Sequence, residues 1–147
     1  MNKIQVFLGL SWQLKKLLFE SYFYLGWARI LKSIPFVKVA PSLGEQMKET
    51  AMFSSLTNKQ MLKDISQAIH LASKYTFWES QCLVKAIAAM KMLERRKIDS
   101  TLYLGTAREK SGQFIAHAWL RSGSFYITGS EGMERFTVVQ RFAKQSL

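Results

Sequence analysis

A thiol and an imidazole are the side chains best suited to covalent chemistry at neutral pH, and this chain has one cysteine, Cys82, and two histidines, His70 and His117. Cys82 follows Trp78-Glu79-Ser80-Gln81, where an apolar helical pattern begins, and His117 lies thirty-five residues later in a strand-like run. A thiol attacks as the thiolate, and the unpaired N–H groups and dipole of a helix start stabilise that anion. An imidazole within reach can hold the thiolate as an ion pair and later protonate a departing amine. The Cys82 N–H would be one oxyanion donor. The chemistry indicated is acyl transfer through a thioester. On composition alone a lone cysteine is more often a small buried hydrophobe, and a strand histidine a satisfied core or edge residue.

A third group should accept the other ring N–H of the imidazole. Glu79, one turn before Cys82, is the first choice, and Glu131, after the strand opposite His117, is the second. Thr128 takes the cross-strand place itself but carries no charge. His70 stands beside an apolar stripe and reads as a packing or surface residue. One cysteine and two histidines fall short of the four ligands of a structural zinc site, so neither a metal nor another cofactor is expected.

The elements that must position these groups follow from periodicity. Residues 11 to 34 read as an amphipathic helix capped by Ser11 and ended by Pro35, with Leu14, Leu17, Leu18, Tyr22, Leu25, Trp27, Ile30 and Leu31 at helical spacing. Its aromatics alternate with Lys15, Lys16, Arg29 and Lys32, which fits a core face with solvated flanks, a partner helix or a membrane surface. Residues 35 to 56 read as a connection with one short helix. Asn58 caps a second helix with a stripe of Met61, Ile65, Ala68, Ile69 and Ala72. A third helix starts at Ser80 and buries Leu83, Ala86, Ile87, Met90 and Leu93. From Ser100 the pattern becomes strand-like over 101–105, 113–121 and 124–128, a meander in which a Ser122-Gly123 turn would set His117 across from Thr128. Residues after Val139 are expected to fray. The fold class predicted is α+β, a helical N-terminal half followed by a small antiparallel sheet.

At 147 residues and 48% hydrophobic content the chain suits one domain with a real core. A single cysteine forms no internal disulfide, and the short apolar start runs into Lys15-Lys16 without a cleavage site, so a cytoplasmic location is expected. No stretch is long and apolar enough to span a membrane, and no membrane contact is called for. The net charge of +11 suits an acidic partner. The densest cations, Lys91, Arg95, Arg96 and Lys97, are also what a helix C-terminus favours.

The blocks Cys82-Leu83-Val84-Lys85-Ala86, Met92-Leu93-Glu94-Arg95-Arg96-Lys97-Ile98, Thr101-Leu102-Tyr103-Leu104-Gly105 and Ala116-His117-Ala118-Trp119-Leu120 resemble one specific family. It is the transglutaminase-like cysteine protease of lasso-peptide biosynthesis, the separate protease half of the maturation B protein. Leu25-Gly26-Trp27-Ala28-Arg29 and Ala40-Pro41-Ser42-Leu43-Gly44-Glu45 resemble its helical N-terminal part. The resemblance implies a single protease domain over 1–147, with a helical part at 1–56 and a transglutaminase/papain-like catalytic core at 57–147. It also implies leader-peptide removal from a ribosomally made precursor, with Cys82 as nucleophile at a helix N-terminus and His117 as base. Glu79 matches the family's acid three residues before the cysteine, where aspartate is better known. The wider superfamily instead places an aspartate on the strand after the histidine, where this chain has Thr128. Implied partners are the precursor peptide, a separate leader-recognition protein and a lasso cyclase, with no nucleic acid. The rival readings are an acyl transferase on the same scaffold and a non-catalytic basic adaptor for nucleic acid or anionic lipid.

Overall fold

The structure is a computed structural model that describes residues 5, 8–52, 56–76 and 81–145, with backbone alone at 56 and 57. Helix α1 spans Trp12–Lys32. A short helix α2 (Phe36–Val39), a 3-10 turn (Ala40–Leu43) and a two-residue strand β1 (Glu45–Gln46) connect it to helix α3 (Leu56–Ser73) and helix α4 (Cys82–Arg95). Strands β2 (Ser100–Arg108), β3 (Phe114–Ser122), β4 (Phe125–Thr128) and β5 (Thr137–Lys144) follow. They form one antiparallel sheet with β1, in the order β1-β5-β2-β3-β4. The architecture is α+β, as the change in periodicity at Ser100 predicts.

Ser11 starts α1 by accepting a hydrogen bond from the Leu14 N–H at 3.2 Å. Leu17, Ser21, Leu25 and Ala28 form its buried face. That face packs on α3 and α4, where the Ser21 hydroxyl meets Met92 Sδ at 3.5 Å. Of the aromatics Phe19, Tyr22, Phe23, Tyr24 and Trp27 that interleave with cations, Phe19, Tyr22 and Phe23 are exposed. A core role for those three is thereby overturned.

Helix α4 lies between α1 and the sheet, so it is buried on more than one side. Val84, Ala88, Ala89 and Met92 are covered in addition to the expected Ala86, Ile87, Met90 and Leu93. At its C-terminal end Arg95 and Arg96 reach Glu20 of α1 at 2.9 and 2.5 Å. The Glu20 carboxylate holds the Arg96 guanidinium above its ordinary pKa. Two of the four clustered cations therefore clamp helix to helix.

Three expectations need correction. Asn58 is not a cap, because α3 already begins at Leu56. Residues 140 to 144 do not fray: β5 pairs with both β1 and β2, and Phe142 is buried against the core. The hairpin is shifted by one residue, since Ser122 pairs with Phe125 and Gly123, at φ 58°, takes the first loop position. A two-residue hairpin turn needs positive φ there, and glycine adopts it without a Cβ clash. An irregularity at Leu120/Arg121 then pairs Arg121 with Tyr126 and Leu120 with Thr128. Thr128 therefore sits across from Leu120, not His117.

Candidate active site

The site grows from the end of β4. That strand stops at Thr128, so β3 has no β4 partner at His117, and the chain after it turns back toward the imidazole. Gly129 makes the turn at φ 75°, where an added Cβ would run into the Ala118 carbonyl and the Trp119 side chain. The result is a hydrogen bond between His117 Nε2 and the Gly129 carbonyl oxygen at 2.7 Å. A carbonyl only accepts, so Nε2 carries the proton, and in the neutral ring Nδ1 holds the lone pair.

The ring is also held by its neighbours. Trp119 and Phe136 lie with centroids 5.7 and 5.0 Å from that of His117, and Trp119 stacks in turn on Tyr103 at 5.6 Å. Gly105 pairs with His117 on β2 and gives this cluster its room, since a Cβ there would approach the Trp119 ring and Phe136 Cβ at 2.9 Å. Leu104-Gly105 is also where the β2–β5 register shifts.

Cys82 is the first residue of α4. It is half-buried, packed on one side against the core and open on the other to a cleft of about 460 Å³. His117, Thr128, Gly129 and Glu131 line the same cleft. Gln81 occupies the N-cap position without a side-chain cap bond. The first-turn N–H groups of α4 therefore lack a capping oxygen from that residue, which is the arrangement an oxyanion would use.

The fold thus brings Cys82 and His117, the nucleophile and base candidates, to one cleft, together with Glu131 and Thr128. Glu79 and Ser80 lie outside the described residues. Among the described residues the hydrogen-bond partner of the His117 ring is the Gly129 carbonyl, not a carboxylate. His70, Ser66 and Lys85 also line the cleft, and sequence reasoning did not assign them to it. His70 donates from Nδ1 to the Ser66 carbonyl at 2.8 Å, the only role open to a ring nitrogen facing a carbonyl. The available signal was spacing: Ser66 and His70 are one helical turn apart, and Lys85 follows Cys82 by three residues. Among the described residues no group of three or more His, Cys, Asp or Glu side chains could hold a metal ion.

The geometry makes Gly129 sensitive to substitution. Gly129→Ala is expected to destabilise the fold by about 1–3 kcal/mol, through left-handed strain and the collision with Ala118. It should also move the carbonyl away from His117. Thermal unfolding together with a turnover assay checks both effects; an unchanged melting temperature and rate would mean that the turn is not needed.

A family model described as the transglutaminase-like superfamily matches residues 23–141. The match runs from the middle of α1 into β5 and includes Cys82, His117 and Gly129. No curated protein and no solved structure matches the chain. The chain accordingly belongs to the transglutaminase-like superfamily, whose domains point to cysteine-protease or acyl-transfer chemistry.

Proposed function

We propose that the chain is a cysteine peptidase that removes the leader peptide from a lasso-peptide precursor. The observation that carries the reading is the shared cleft of Cys82 and His117, with the imidazole tautomer set by the Gly129 carbonyl. His117 takes the Cys82 proton at Nδ1, and the thiolate attacks the carbonyl carbon of the scissile amide. The tetrahedral oxyanion is held by N–H groups at the start of α4. The imidazolium then gives its proton to the departing core amine, leaving the leader as a thioester on Sγ. Water, deprotonated by the same nitrogen, releases the leader as a carboxylic acid. The family blocks of the sequence support this substrate over other peptides, and support a separate recognition protein and a cyclase as partners in the cytoplasm.

Incubation with a precursor and its recognition protein, followed by mass analysis, tests the reading. Hydrolysis yields a leader with a free C-terminal carboxylate. A leader joined to an added amine would favour the acyl transferase instead, and an intact precursor would refute both.

The third role is also a proposal. Glu79 keeps the place of an acid three residues before the nucleophile, but Gly129 already engages Nε2. Glu79→Gln is therefore expected to slow turnover much less than loss of His117 does. Equal losses would give Glu79 the orienting role.

A further inference from the structure

The first half of β3 has an edge that no other described strand pairs. Within an antiparallel sheet a strand sends the N–H and C=O of alternate residues to opposite neighbours. The Gln113 carbonyl, one residue before β3, accepts from the Glu109 N–H at 2.9 Å, which sets the odd-numbered residues toward β2. Ser122 and Phe125 flank the two-residue turn as a bonded pair, which sets the even-numbered residues toward β4. The two ends of the strand agree, and its pairing with β2 runs residue for residue between them.

β4 pairs no further along β3 than Leu120, so Phe114, Ala116 and Ala118 direct their backbone groups into the lane that β4 vacates. Gly129 closes the Ala118 end, since a Cβ on it would run into the Ala118 carbonyl. Phe114 and Ala116 are both exposed, and among the described residues no backbone group bonds to them from that side. At about 3.4 Å per residue the open stretch from Phe114 to His117 is roughly 10 Å long, room for about three residues of an extended chain. Edges that stay unpaired are commonly blunted by charge, proline or a bulge. Phe114-Ile115-Ala116 has none of these, and Arg108, which pairs with Phe114 from β2, is engaged over the Phe114 ring at 4.3 Å.

The occupant follows from position. Ala116 directly precedes His117, and the lane ends at Gly129, which lines the cleft together with Cys82 and His117. An amide placed for attack by Cys82 therefore has the backbone of its neighbouring residues close to Ala116. We infer that the peptide substrate adds to the sheet as an extended strand beside Phe114 and Ala116, its main chain bonded to β3 and its scissile amide delivered into the cleft. Resting on the peptidase reading above, this mode of binding specifies how the site holds its substrate.

Synthetic lasso-precursor segments spanning the leader–core junction, N-methylated at one residue at a time, test the inference. A strand bound by its edge turns alternate N–H groups toward β3, so methylation should raise KM at every second residue on one side of the cut and by less than about twofold in between. The expected rise is at least about tenfold, from a lost hydrogen bond and the clash of the methyl group with β3. Amide exchange in the Cys82→Ala protein gives a readout that needs no cleavage: the Phe114 and Ala116 amides should exchange at least about tenfold more slowly with the unmethylated segment bound. Slowed exchange without cleavage by the parent protein would keep the strand addition and refute the peptidase reading. Cleavage by the parent with neither the period of two nor the slowed exchange would overturn the inference and leave that reading standing. Protection of the same amides in the free protein, lost on dilution, would also overturn it by assigning the edge to a second copy.

Discussion

His117→Gln is expected to lower the rate of precursor cleavage by about 10²–10⁴-fold, the range that a positioned acid–base group contributes. Glutamine is the informative replacement because its amide nitrogen can still donate to the Gly129 carbonyl, preserving the contact made by Nε2 at 2.7 Å. What it lacks is a nitrogen that accepts and returns a proton. The fold should survive, since the Trp119 and Phe136 contacts surround the ring without depending on its charge. A His117→Gln protein that keeps its melting temperature and loses turnover places the effect in the chemistry. One that cleaves at the parent rate removes His117 from the mechanism.

The largest stability effect is expected at Arg121, which is fully buried. Its guanidinium donates to the carbonyls of Thr50, Ala51 and Gly123 at 3.0, 3.0 and 2.7 Å, and Nε donates to the Tyr103 hydroxyl at 2.9 Å. Burial pushes the Tyr103 phenol above its ordinary pKa, so it stays protonated and donates in turn to Glu49 at 2.8 Å. One side chain therefore fastens the segment around Thr50, the hairpin turn and the sheet. Arg121→Met keeps much of the volume and orphans the carbonyls, with an expected loss of about 3–5 kcal/mol. For a chain of this size that corresponds to a melting temperature lower by roughly 10 °C. Calorimetry decides, and an unchanged melting temperature would mean that water or a rearranged segment replaces the network.

The parts of the fold that the sequence makes legible are those written in local periodicity. Ser11 and Pro35 bound α1, and the change at Ser100 marks the start of the sheet. What was hidden depends on long-range pairing. In β5 the alternation is interrupted by Gln140 and Arg141, and the strand exists because β1 and β2 flank it. The shift of the hairpin by one residue followed from where Gly123 had to sit, and it moved Thr128 out of register with His117. At the site, the Cys82 and His117 pair was readable from residue type and element. The carbonyl that engages His117 was not, since a backbone acceptor leaves no mark in side-chain chemistry beyond a glycine at 129. His70 and Lys85 were read on their own helices and joined the cleft only through packing of α3 and α4 near β4.

The proposed peptidase mechanism requires a bond between Cys82 Sγ and the terminal carbonyl carbon of a leader peptide. Acid quenching during turnover, followed by intact-mass analysis, observes that bond directly. The proposed mechanism predicts an adduct heavier than the protein by the leader fragment less one water, lost with Cys82→Ala along with all cleavage. Precursor cleaved at the parent rate by Cys82→Ala, with no adduct on either protein, would contradict it.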